Sequence, residues 1–342
     1  MVKKSHMNVD RVTLADVADV AGVSIMSVSR VVNNKPGVGD ETRKRILSLV
    51  KEMGYVPNSL ARGLVTQETK AVGLIVPDNN NPFFAQIARG VEDEAYEQGY
   101  SIFLMNSVEN TTREEHALDT LFENNIDGLI SCSSRLSSKK LEEHLKHFLS
   151  VVMFNRECKA KLPNVTQINV DDEWGATVAV NYLVDQGRCT IAHISGPANS
   201  ISAKRRLKGF EEALKKGGCH QNLKSNIIYD AKPTYEGGRR AMLNLLEVGH
   251  NIDAVYAFND LVAVGVLQIC KEHGIKVPDD IAIIGVDGAF IGTVVNPKLT
   301  TLKIDLAEVG RLIMQTLLRN MNKQNVTRSI MLHPELVVRG SA

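Results

Sequence analysis

From Lys70 onward, short and nearly unbroken apolar runs alternate with stretches of helical period, and this alternation restricts the fold more than any other feature. The apolar runs predict strands at Ala71–Val76, Ser101–Met105, Asp127–Ser131 and Val151–Phe154. After a crossover near Val170 they predict four more, at Thr190–Ser195, Ile227–Tyr229, Asp253–Phe258 and Ile281–Val286. Helical patterns fall between them at Phe83–Gln98, Arg113–Asn124, Trp174–Gln186, Arg205–Lys216, Tyr235–Glu247 and Leu261–His273. Strands that lack polar alternation are covered on both faces, which calls for parallel sheets with helices on each side. So many units in 342 residues predict an α/β body of two doubly wound parallel-sheet subdomains, split near 170, 305 and 328.

The first 66 residues are of another kind. They hold ten Lys and Arg against six acids, a charge of +4, whereas the remainder holds thirty basic against thirty-three acidic side chains. A basic head on a faintly acidic body points to nucleic acid as a partner of the head. Thr13 is placed to cap a short helix apolar at Leu14, Val17, Ala18 and Ala21. Gly22 suits a tight turn, Ser24 can cap a second helix at about Ile25–Val32, and Asp40 is predicted to cap a third, Glu41–Met53. Two short helices joined by a tight turn and followed by a third make a helix-turn-helix.

The turn Ala21-Gly22-Val23-Ser24, then Val28-Ser29-Arg30-Val31-Val32-Asn33 and the run Arg43-Lys44-Arg45, resemble the head of the lactose/galactose repressor family. The likeness continues to Ala342 and has the look of ribose-repressor-like members. It implies a helix-turn-helix domain at 12–57, a hinge helix and linker at 58–69, and an effector-binding and dimerisation domain of the type I periplasmic-binding-protein kind at 70–342. It also implies a repressor of a carbohydrate-use operon that binds a pseudo-palindromic operator in double-stranded DNA as a homodimer. DNA contacts are then expected from Thr13, Ser24, Ile25, Met26, Ser29, Arg30 and Asn33. In the hinge they are expected from Asn58, Ala61 and Leu64, with Leu64 the wedge that bends the minor groove. Independently of the family, Arg30 has the geometry for a bidentate pair with guanine, and Ile25 and Met26 offer only apolar contact.

Ligands of doubly wound sheets bind beyond the carboxyl ends of the strands. The loops there carry Asn81, Phe83 and Phe84, then Asn155 and Arg156, Lys204, Asn259 and Asp287. Aromatic faces beside amide, carboxylate and cationic groups suit a small-molecule effector such as a sugar, with Arg156, Lys204 and Arg205 admitting a sugar phosphate or sugar acid. Asn81, Asn259 and Asp287 serve equally as helix caps, and Arg206, in Arg206-Leu207-Lys208-Gly209-Phe210, reads as framework.

Other classes find less support. There is no nucleophile elbow and no Walker-type phosphate loop, so neither a catalytic residue nor a resident cofactor is expected. The alternative is a solute-binding or enzymatic α/β protein with an unrecognised site. His144 and His147 have a zinc-compatible spacing but stand among Lys139, Lys140 and Lys146, so no metal is expected. Five scattered cysteines predict reduced thiols. No apolar run reaches membrane-span length and no leader is evident, so a cytoplasmic protein is expected. The chain stops soon after the last body strand without a heptad helix, which favours a dimer over a tetramer.

Overall fold

A computed structural model of the chain describes residues 12–55, 68–158, 160, 162–219, 226–249, 251–324 and 327–342. It divides into two units between Thr69 and Lys70. In the first, α1 (Leu14–Ala21), α2 (Ile25–Val32) and α3 (Asp40–Glu52) close on a small core of Val17, Ala18, Ala21, Val28, Val31 and Ile46. Thr13 caps α1 in a reciprocal box with Asp16, and Gly22 ends the helix in the left-handed conformation, φ +61°. Ser24 caps α2. Asp40 does not cap α3: Gly39 holds that place without a side-chain bond, and Asp40 is the first helical residue, its charge favourable to the helix dipole.

The body contains β1 (Ala71–Val76), α4 (Pro82–Glu97), β2 (Ser101–Asn106), α5 (Thr111–Glu123), β3 (Gly128–Cys132), α6 (Ser138–Leu145), β4 (Val151–Phe154) and β5 (Val165–Val170). Then follow α7 (Asp172–Asp185), β6 (Ile191–Ile194), α8 (Ile201–Lys216), β7 (Ile227–Ile228), α9 (Tyr235–Glu247), β8 (Ala254–Ala257), α10 (Asp260–Glu272) and β9 (Ala282–Asp287). The last elements are α11 (Ile291–Val294), β10 (Thr300–Lys303), α12 (Leu306–Met321), β11 (Ser329–Leu332) and β12 (Glu335–Val337). They build two six-stranded sheets, β11-β5-β4-β3-β1-β2 and β12-β10-β9-β8-β6-β7. All pairings are parallel except β12 against β10. Each sheet is the middle layer of a lobe. In the first lobe α4 and α12 cover one face and α5 and α6 the other. In the second lobe α9 and α10 cover one face and α7 and α8 the other.

The chain passes between lobes three times: after Val170, after Lys303 and after Leu332. The third passage is later than the expected 328, because β11 pairs with β5 in the first sheet before the chain leaves. α4 begins with Asn81 as cap and Pro82 at its first position, which needs no amide hydrogen there. It crosses α12 at backbone distance: a Cβ at Gly90 would stand 1.9 Å from the Ala307 carbonyl oxygen, and one at Gly310 would stand 2.2 Å from that of Ile87. The first lobe is therefore built on a helix pair that tolerates no side chain at its crossing.

Not all thiols are free. Cys189, after α7, and Cys219, after α8, are joined by a disulfide, with Cα atoms 4.9 Å apart. The packing of α7 on α8 brings together ends that lie 30 residues apart in sequence. Cys132, Cys158 and Cys270 are free and buried.

Candidate functional site

In the head, the apolar side of α2 is consumed by the core and its other side faces solvent. Ile25 and Met26 are 53% and 66% exposed, an unusual state for two large apolar side chains at the start of a helix. Arg30 is exposed on the same helix, its guanidinium lying over Gly37 of the following loop. Ser29 is half-buried. Three expected DNA contacts have local duties as well: the Thr13 hydroxyl bonds Asp16 at 2.7 Å, the Ser24 hydroxyl accepts from the Ser27 amide at 3.2 Å, and the Asn33 amide donates to the Ser29 carbonyl at 2.8 Å. Part of the basic run is also structural, since Arg43 donates to the Lys35 carbonyl at 2.5 Å and Arg45 to that of Ala21 at 2.9 Å. Asn58, Ala61 and Leu64 lie outside the described residues.

In the body, the loops after β1, β2, β3 and β4 of the first lobe meet those after β6, β7, β8 and β9 of the second around a narrow cleft. This is where the carboxyl ends of both sheets point. Six of the eight expected effector residues line it: Asn81, Phe83, Phe84, Asn155, Asn259 and Asp287. Phe83 and Phe84 meet edge to face at 5.0 Å, and Phe83 stacks on Phe154 at 6.0 Å. Asn155 adopts φ +50°, and its side-chain oxygen accepts from the Val170 amide at 2.9 Å, which leaves its NH2 group available. Asn259 spends both ends of its amide, capping α10 through the Val262 amide at 2.9 Å and donating to the Pro233 carbonyl at 3.2 Å. For Asn259 the cap reading therefore accounts for every polar atom of the side chain. Asp287, buried at the end of β9, holds φ +115°. A non-glycine residue in that region stores strain of the sort that gathers at binding sites. Burial, reinforced by Asp260 and Asp172 and opposed by Arg206, pushes its carboxyl well above the usual carboxylate range.

Two expected residues do not line the cleft. Arg156 follows the left-handed turn at Asn155 and is buried beside the loop after β3, donating to the Leu136 carbonyl at 2.7 Å. Lys204 is exposed on α8; it sits two residues from the cleft-lining Arg206, about 200° around the helix. Arg206 is not mere framework. It is 5% exposed, its Nε bonds Asp172 at 2.8 Å, a terminal nitrogen donates to the Phe258 carbonyl, and its guanidinium lies 4.9 Å over the Phe258 ring. Arg135 and Glu109 also line the cleft as a two-bonded pair at 2.5 and 3.0 Å. Reading the loops after the second and third strands alongside the others would have found both. Asp260 stands behind Asp287 and accepts from Thr301 at 2.6 Å and from the Ala289 amide at 2.7 Å. Burial still raises its carboxyl to about 7.

The arrangement can hold a small polar ligand against aromatic faces, and nothing in it forms a nucleophile–base pair. Among the described residues no group of three or more His, Cys, Asp and Glu is placed to hold a metal ion. No described helix is long and apolar enough to cross a membrane.

Comparison with known proteins gives concordant results for both units. Residues 13–58 match bacterial regulatory proteins, lacI family. Residues 69–336 match periplasmic binding proteins and sugar binding domain of LacI family. The chain is 36% identical to catabolite control protein A of Priestia megaterium, over 95% of this chain and 97% of that protein. It is similar to the lac repressor dimer bound to operator and the anti-inducer ONPF (TM-score 0.84, 25% identity, 97% of this chain and 99% of that one). It is also similar to a complex of the transcriptional regulator CelR with cellobiose (TM-score 0.72, 29% identity, 97% of this chain and 100% of that one). These relatives are transcriptional regulators, not enzymes.

Proposed function

The chain belongs to the LacI family of bacterial transcriptional regulators, and we propose from that premise that it is a cytoplasmic, homodimeric repressor of carbohydrate-use genes whose operator affinity is set by a small polyhydroxylated effector. The observation that carries the reading is the cleft, whose lining comes from both lobes. A ligand that touches both lobes binds one lobe arrangement better than another, and only such differential affinity can shift a conformational equilibrium. The head supplies the output, with Ile25, Met26 and Arg30 presented on α2 for the major groove and Ser24, Ser29 and Asn33 nearer the phosphates. The relative solved with cellobiose supports a sugar-class effector.

Dimerisation is supported by the relative solved as a dimer on its operator. It is supported also by β2, an edge strand whose Phe103 and Leu104 are 49% and 44% exposed. An apolar edge strand left open is a pairing hazard that a partner copy removes. In this reading the Leu64 wedge follows from the family likeness.

The test is a gel-shift titration with operator-like palindromes selected from random DNA, run for the wild type and Arg30→Ala. The variant should lose roughly 1–3 kcal/mol per half-site and relax preference at one guanine. Equal weakening on all sequences would make Arg30 a phosphate contact.

A further inference from the structure

The charges around the cleft are already paired with one another, and from this we propose that the effector is uncharged: a neutral sugar or polyol, selected over the phosphorylated or carboxylate-bearing form of the same molecule. The proposal rests on the reading above that this cleft is the effector site.

Two guanidinium groups line the cleft, and each is engaged. Arg135 holds both oxygens of Glu109 and gives a further donor to the Ser133 carbonyl at 2.8 Å. Arg206 holds Asp172 and the Phe258 carbonyl, and the Asp287 carboxyl lies within its field. Glu109 and Asp287 line the cleft, and Asp172 stands behind Arg206 with its Oδ2 lacking any hydrogen-bond partner. Each guanidinium that lines the cleft thus already has a carboxyl partner. The cations that made a charged ligand attractive from sequence do not line the cleft: Arg156 is committed to the Leu136 carbonyl, Lys204 is exposed outside the cleft, and Arg205 is bound to Glu157 outside it. A phosphate or carboxylate entering here must either sit unpaired beside carboxyl groups or take a guanidinium from its partner. The second course breaks an existing ion pair, and at Arg206 it strands the buried Asp172, which is strongly unfavourable.

Helix N-termini attract anions, and α4, α8 and α10 all start at the cleft. Each start is met from within the protein. Asn81 accepts from the Phe83 amide at 3.0 Å, Ser200 from Ala203 at 3.3 Å and Asn259 from Val262 at 2.9 Å. Asp260, the first residue of α10, adds a carboxyl to that end. What remains for a ligand suits hydroxyls, which both donate and accept: the NH2 of Asn155, the Ser202 hydroxyl and the Asp287 carboxyl, beside the apolar faces of Phe83, Phe84 and Phe258.

The test is calorimetric and thermal-shift titration of the full chain with D-ribose, D-glucose, D-galactose and cellobiose. Ribose 5-phosphate, glucose 6-phosphate, gluconate and glucuronate are titrated in parallel, with operator gel shifts on each. A neutral member should raise Tm and change operator affinity, with its charged counterpart roughly ten- to a hundredfold weaker, the scale of one charged hydrogen bond. Glu109→Gln, which releases Arg135, should narrow that gap. A charged form that binds as tightly as its neutral counterpart, or tighter, overturns the proposal and leaves the effector reading standing. If no compound shifts Tm or operator affinity, the effector reading fails and the proposal with it.

Discussion

His193 offers a test in which acid acts on one buried ring. It lies in β6 with no exposed surface, stacked 5.0 Å from Phe210 and 5.1 Å from Tyr256. Its Nδ1 is 2.9 Å from the Tyr256 carbonyl oxygen and so carries the proton and donates, while Nε2 is buried without a partner. A second proton would place a charge where nothing can accept it. Burial lowers the ring from 6.5 to about 4, the Tyr256 carbonyl opposing and Arg206 assisting. Between these values the unfolded chain holds a proton that the folded chain refuses. The stability is therefore complete above pH 6.5, falls as pH drops toward 4, and is constant below. One pKa unit is about 1.36 kcal/mol, so the loss reaches about 3 kcal/mol by pH 4 and about 1.3 kcal/mol between pH 7.5 and 5.5. Urea unfolding at pH 7.5, 6.5 and 5.5, followed by the fluorescence of Trp174, the chain's single tryptophan, measures it. His193→Gln keeps an N–H donor but cannot titrate, so it should start less stable and lose about 1.3 kcal/mol less over that range. Equal pH dependence in wild type and variant would refute the reasoning.

Gly90→Ala should lower stability by about 1–3 kcal/mol, because its Cβ meets the Ala307 carbonyl and the α4–α12 pair must part; an unchanged urea midpoint would show the crossing to be looser than described. Asp287→Ala should weaken the effector roughly ten- to a hundredfold and with it the effector's influence on operator binding; normal affinity by calorimetry would remove it from the contacts. Reduction with dithiothreitol should lower the Tm of the wild type and leave that of Cys189→Ser unmoved, since only the Cys189–Cys219 bridge can be opened; equal shifts would place the effect elsewhere.

The strands that sequence reading located best are those buried on both faces. Ala71–Val76 and Val151–Phe154 match β1 and β4 residue for residue, because nothing polar interrupts them. β5 escaped because Gln167 and Asn169 break its apolar run, and Gln167 uses its amide on the Cys158 backbone. β10 opens on two threonines, and β11 and β12 are partly exposed edge strands, so none of the three presents an unbroken apolar run. At the site, residues on post-strand loops were legible because topology alone sends those loops to one end of each sheet. Arg206 was not, since its role depends on Asp172 in a different helix, and no spacing in the chain announces that pair. Arg156 and Lys204 were drawn in by being neighbours of lining residues in sequence; Arg156 instead spends its guanidinium on the Leu136 carbonyl, and the turn of α8 carries Lys204 to the exposed side.

The three passages between lobes also set an order of assembly. The first sheet needs β11 to cover the outer edge of β5, and the face that carries α4 needs α12. Both arrive from the ribosome after nearly all of the second lobe has been made. The lobe whose sequence starts first is thus the last to close, with a strand edge open and the side of α4 that α12 crosses, around Gly90, uncovered during synthesis. The second lobe, continuous from α7 through β10 and missing only its short antiparallel edge, can complete most of its core beforehand. A nascent chain of this design passes through a stage at which its first-made lobe is its least protected part, and chaperone binding during translation is expected to concentrate there.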